Sequence, residues 1–288
     1  MLPHHECFSW SHVLPSHKLG VRGAMSDAAT PRSLETRKFR TRARTVDHLG
    51  REQIADSPTA VSELWKNSWD AYARRVSLRI HSGDAAVTLL ADDGHGMSLD
   101  DFYEKWLVIG TESKTSFDLP VPKEDRNGLP VRPILGQKGI GRLSSAKLGP
   151  VLLLLSRRRD GFLIAALMDW RLFENPYIDL DDVPVATGEF EQIEDVFAAL
   201  DDMSDKLAAG IVAPQDLANW REEKPTLLDV WKRFDADWLK DHSNEPGLVP
   251  SAKTLEALKR LPFKLEHLEE WAGFGTAMLV SEIDDALQ

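Results

Sequence analysis

Between positions 59 and 74 the apolar residues Val61, Leu64, Trp65, Trp69 and Tyr72 return near helical spacing, which predicts a helix over Thr59–Arg74. Ser57-Pro58 suits its entry, because a proline in the first turn lacks only an N–H that would be unpaired anyway. The period then drops to two. Val76-Ser-Leu78-Arg-Ile80 alternates, and Ala86-Val87-Thr-Leu89-Leu90 follows across Ser82-Gly83-Asp84, which reads as a half-buried hairpin. A second hairpin is expected from Val151–Leu155 through Arg159-Asp160-Gly161 to Phe162–Leu167. Between the hairpins a short helix is predicted at Leu143–Leu148, and the polar stretch Gly110–Gly136 has the texture of a mobile lid. From about Asp179 the pattern turns helical and acidic, with helices expected near Ile193–Leu207, Leu227–Leu239 and Ser251–Leu261. Gly273–Ser281 closes the chain as a last strand.

Residues 1–36 mix His, Pro, Ser and Gly without period and read as a flexible arm, with Met25 a candidate start. The basic run Arg37, Lys38, Arg40, Arg42 and Arg44 reads as solvated, with a phosphate or partner contact as the alternative. At 288 residues a large core is attainable. The net charge of −11 argues against bulk coating of nucleic acid, leaving only a local patch at Arg37–Arg44 or Arg157-Arg158-Arg159 for such a role. Cys7 is the only cysteine, so neither an intramolecular disulfide nor a cysteine zinc site is expected, and a reducing cytoplasm fits. No apolar run is long enough for a membrane span, and no secretory signal is expected.

Four short stretches carry candidate chemistry. Glu63, Asn67 and Asp70 are spaced by four and three, so they share one face of the first helix. A carboxylate and an amide oxygen on one face suit orienting water and holding a hard cation, although solvated polar residues look the same. Asp92-Asp93-Gly94-His95-Gly96-Met97 follows a strand, placing a carboxylate at the strand end with glycines that permit close approach; an ordinary turn is the plain alternative. Gly136-Gln-Lys138-Gly139-Ile140-Gly141 precedes the short helix and suits an anion cradle. It lacks the ending of a P-loop and does not open after a strand as a dinucleotide fingerprint would. Gly275-Thr276 lies in the closing strand.

In this order the four stretches resemble the GHKL ATPase superfamily of gyrase B, the ninety-kilodalton heat-shock chaperone, histidine kinases and mismatch-repair MutL. The resemblance runs from about Thr45 to Ser281, with an unmatched acidic helical insertion at about 180–271 inside a domain of 37–288. It implies the Bergerat fold, an α/β (α+β) two-layer sandwich with a mixed, mostly antiparallel sheet and helices on one face. It also implies ATP and Mg2+ as ligands. Glu63 would be the general base and Asn67 the metal ligand. Asp92 would read adenine, supported by Thr276 and by Gly94, Gly96 and Met97. Lys138, Gly139, Ile140 and Gly141 would bind the phosphates, and Asp70 counts among the nucleotide-binding residues. Asp93 departs from the usual Asn.

Glu63-x-x-x-Asn67-Ser-x-Asp70-Ala71 looks like the MutL, heat-shock and microrchidia branch, which hydrolyses ATP and dimerises as its lid closes. Gly110–Thr115 would then be the lid hinge. Family members complete the site with a Lys or Arg from a following domain, which here is expected to be absent or supplied in trans. The expectation is therefore weak hydrolysis, with ATP-driven closure and homodimerisation switching a protein partner. A nucleotide-sensing module without significant hydrolysis is the alternative. A histidine-kinase domain is disfavoured by Asp70 and by the lack of a phosphoacceptor helix.

Overall fold

A computed structural model describes residues 39–83, 85–109, 121–136, 141–211, 227–244 and 247–281. The expected arm, the hinge at 110–115, and Lys138, Gly139 and Ile140 lie outside the described residues. Among the described residues six strands form one sheet: β1 (Val76–His81), β2 (Val87–Asp92), β3 (Val151–Arg157), β4 (Leu163–Asp169), β5 (Ala186–Phe190) and β6 (Gly275–Ser281). Their order is β1-β2-β6-β3-β4-β5. The sheet expected to be mixed is antiparallel at every described pairing. Both predicted hairpins are present, and the closing strand inserts between them.

Helices are α1 (Arg44–Asp47), α2 (Ser57–Asp70), α3 (Leu99–Asp101), α4 (Ser145–Leu148), α5 (Ile193–Ala198), α6 (Leu200–Ala208), α7 (Leu227–Asp241) and α8 (Pro250–Leu258). Among the described residues no helix is long and apolar enough to cross a membrane. In α2, Asp56 caps the amino terminus by accepting from the Thr59 amide at 2.8 Å. Its buried stripe runs through Ala60, Val61, Leu64 and Ser68, whereas Trp65 and Trp69 face outward. The helix ends at Asp70, short of the predicted Arg74, because Tyr72 turns left-handed at φ 57°. Arg132 covers that end: its guanidinium donates to the carbonyls of Trp69 (3.3 Å) and Ala73 (2.9 Å).

Directly opposed residues of neighbouring strands share a face, as do every second residues along one strand. Asp92, Thr276 and Ser156 are in register, so they stand in a row on one face, where α2 packs. Arg79, Leu89, Leu279 and Leu153 stand on the reverse. Leu152 through Leu155 are each fully buried, so both faces of β3 are closed to water. Withdrawing a leucine from water contributes about 1.5–3 kcal/mol, so a bare reverse face would forfeit two of them on this strand alone. Cover on that side comes from the acidic helical segment. The His81 ring lies 4.7 Å from that of His267, Arg79 pairs with Glu270, and α5 packs on the 3-10 turn Leu265–Leu268. The helical layer on the site face is thus matched by a second one behind the sheet.

The basic run is not simply solvated where it is described. Arg40 and Arg42 both pair with Asp179, and backbone bonds Ala43–Ile178 and Leu180–Thr41 lay this stretch along 177–180. The three arginines of the β3–β4 turn are also engaged internally. Arg157 donates to the Glu191 carbonyl, Arg158 pairs with Asp101 and Asp125, and Arg159 covers the Phe274 ring.

Candidate nucleotide site

The row on the sheet face is knit to α2 and to the loop after β2. Asp92 is 8% exposed; its Oδ2 accepts from the Ser68 hydroxyl (2.9 Å) and its Oδ1 from the Gly94 amide (2.8 Å). Ser156 Oγ receives the Met97 amide at 2.9 Å, donates to the Gly275 carbonyl at 3.0 Å, and lies 3.2 Å from Thr276 Oγ1. The glycines are required by close approach. A Cβ on Gly94 would lie 2.8 Å from the Ala71 carbonyl and from Asp92 Oδ1. Gly275, at φ +82°, would place one 2.3 Å from the Asp92 carbonyl. Asp92, Thr276 and the loop Gly94–Met97 thus bound the candidate slot, with Ser156 fully buried behind them.

Burial pushes the Asp92 carboxyl up, against the amides of Gly94 and Thr276 and the Ser68 hydroxyl, which favour the charge. Below the unfolded value of about 3.9 both states are protonated and the group is neutral for stability. As pH rises into the window above it, the folded state holds this proton more tightly than the unfolded chain, so stability declines through that window. The unfolding free energy of Asp92→Asn relative to wild type should therefore shift in the variant's favour as pH rises from below 4 to neutral. A difference that is flat with pH, measured by urea unfolding, would show this carboxyl to be unperturbed.

Asp93 has a different task from its neighbour. Burial works upward on it, but it accepts the amides of Arg75 and Arg74 (2.8 and 2.7 Å) and meets the Arg75 guanidinium, and its pKa lies below the ordinary value. It ties the exit of α2 to the end of β2.

Beside Ser68 and one turn before it on α2, Asn67 and Glu63 face the last glycine of the phosphate-type loop. A Cβ on Gly141 would lie 3.6 Å from both Glu63 Oε2 and Asn67 Oδ1. Glu63 Oε1 is held by Lys66 at 2.5 Å. Asp70, expected among nucleotide ligands, accepts the amides of Leu135 (2.9 Å) and Gly136 (3.1 Å), so it grips the start of the same loop. Residues 121–136, read as part of a lid, are held against α2. Asn127 donates to the carbonyls of Tyr72 and Asp93, Trp69 donates to the Pro133 carbonyl, and Arg132 lies 4.2 Å over the Trp69 ring. Further on, Arg142 donates to the carbonyls of Lys105 and Trp106. No group of three or more His, Cys, Asp or Glu among the described residues is arranged to hold a metal ion.

Ser68 and Ser156 were not singled out by the motifs. The signal for Ser68 was a polar residue in the apolar stripe of a helix; for Ser156 it was the first hydroxyl after five apolar strand residues.

No curated protein matches the chain. Residues 55–195 match the family model described as Histidine kinase-, DNA gyrase B-, and HSP90-like ATPase. That span covers α2, the loop after β2, the phosphate-type loop and the β3–β4 hairpin. With the antiparallel sheet and the slot between α2 and its strands, residues 55–195 belong to the GHKL superfamily of ATPases.

Proposed function

We propose that this domain binds Mg-ATP in the slot and hydrolyses it slowly. The observation that carries the reading is the placement of Gly141 against both Glu63 and Asn67, on the helix whose Ser68 touches Asp92. Glu63 precedes Asn67 by one helical turn and Ser68 follows Asn67 directly, so α2 borders both clusters, Ser68 from its buried stripe and Glu63 and Asn67 from the flank beside it. Asp92 supplies an acceptor for an amino group on the base. The amides around Gly141 suit phosphate oxygens. Asn67 presents a half-buried oxygen of the kind Mg2+ accepts, and an ion that keeps waters and phosphates in its shell needs few protein ligands. Bound Mg2+ would neutralise phosphate charge. Glu63 orients the attacking water and takes its proton.

Asp70 serves this site by fixing Gly136, and we assign Lys138, Gly139 and Ile140 to the phosphates on the motif alone. We also carry over from the resemblance that closure over bound ATP and pairing of two copies report nucleotide state to a protein partner. Residues 121–136, already docked on α2, would be the fixed base of that closure.

Isothermal titration with ATP, with and without Mg2+, tests the reading. Wild type should bind with a clear gain from Mg2+, and Asn67→Ala should lose that gain while keeping metal-free affinity. Absence of adenine-nucleotide binding by wild type would sink the proposal.

A further inference from the structure

We propose that Ser156 fixes the direction in which the Thr276 hydroxyl points, making the base-edge end of the slot a set of acceptors that rejects a 6-oxopurine. This rests on the ATP-binding reading above and adds a specificity-determining role for Ser156.

The inference is an inventory of protons. Ser156 Oγ is fully buried and has three polar neighbours. The Met97 N–H can only donate, so it fills one lone pair of Ser156. The Gly275 carbonyl can only accept, so it takes the single proton of Ser156. The contact to Thr276 Oγ1 is then satisfied only with Thr276 as donor. A threonine hydroxyl has one proton, and with that proton committed to Ser156 it shows the slot lone pairs alone.

Asp92 is in register with Thr276 on the same face and adds to this. Its two oxygens offer about four acceptor positions. Two are occupied, by the Gly94 amide and the Ser68 hydroxyl. Ser68 donates its proton to Asp92, so it offers no donor either. A base entering here meets lone pairs from Asp92 and Thr276. An exocyclic amino group matches them. A 6-oxopurine turns its O6, a third acceptor, to the position where adenine presents its amino group, and its one donor on that edge, N1–H, sits at the neighbouring ring position. The two acceptors facing O6 are thus left unmatched at a buried site where an unpaired polar group is costly.

Titration of the full chain with Mg2+ and either ATP or inosine triphosphate reads this out. Wild type should prefer ATP by roughly ten- to a hundredfold. Ser156→Ala frees the Thr276 proton to turn toward the slot and donate to a 6-oxo group, so the preference should narrow several-fold. Simple loosening of the site weakens both nucleotides alike and leaves the ratio unmoved. Ser156→Thr, which keeps the hydroxyl, should restore the ratio whatever it does to affinity. If Ser156→Ala does not fold, Thr276→Val removes one of the two acceptors and should also narrow the preference. An unchanged ratio in the folded variant, or a wild type that binds both nucleotides equally, overturns the role of Ser156 while leaving ATP binding intact. Failure of wild type to bind either nucleotide removes the site reading, and this inference with it.

Discussion

Glu63→Gln is expected to leave Mg-ATP affinity little changed and to cut turnover by about 10²–10⁴-fold, the usual contribution of a positioned general base. Glutamine keeps the length and planarity of the side chain and can still contact a water, but it cannot take a proton. Lys66 pairs with Oε1, which leaves Oε2 turned toward Gly141, where the phosphate end of the ligand is proposed to lie. The carboxylate is thus aimed by an ion pair rather than by burial. Its side chain keeps 30% exposure, consistent with access for water. Single-turnover hydrolysis of labelled ATP, beside equilibrium binding, separates the two effects. Turnover equal to wild type would place the base elsewhere. Parallel loss of binding and turnover would make Glu63 a ligand instead.

The elements that decide the fold were legible because their signals are local. The run Val151–Leu155 is continuous rather than alternating, and the strand it forms is buried on both faces. The glycines of Asp92–Met97 read as positions of close backbone approach, and both sit where a Cβ has no room, as does Gly275, which carried no such reading. What was hidden depends on distant partners. Ser68 looked like one more polar helix residue until Asp92, 24 positions on, supplied its acceptor. Ser156 gains its meaning from Thr276, 120 residues away. The motif groups Asp70 with the nucleotide ligands, and what it does not show is that the carboxylate meets amides 65 and 66 residues later. The edge strand β5, Ala-Thr-Gly-Glu-Phe, escaped because one neighbour pairs it and only Ala186 is buried, so no alternation was imposed on it. The early end of α2 came from Tyr72 in a conformation rare for an aromatic residue, held by Arg132 and Asn127 from the segment 121–136.

Gly96→Ala should be among the most damaging single changes outside the chemistry, and two other glycines separate the causes. Gly273 has φ +76° with open space around it, so Gly273→Ala carries only the left-handed backbone cost of about 1–2 kcal/mol. Gly83 has neither positive φ nor a neighbour within 4 Å, and Gly83→Ala should fall within about 0.5 kcal/mol of wild type. Gly96 combines φ +68° with a Cβ position 2.2 Å from the Arg157 carbonyl. That carbonyl cannot retreat easily, because Arg157 is in register with Leu163 on one side and Gly275 on the other. The loop must move instead, which breaks the Met97–Ser156 and His95–Ala71 bonds, each contributing about 0.5–1.5 kcal/mol. Added to the backbone cost, the loss should reach about 2–5 kcal/mol. At about 2–4 °C per kcal/mol for a domain of this size, thermal unfolding should resolve the three variants in order. Nucleotide affinity should fall only for Gly96→Ala, since Met97 and Gly94 lose their placement over the slot. Equal effects of Gly96→Ala and Gly273→Ala on both stability and affinity would mean that the approach of the loop to β3 constrains neither.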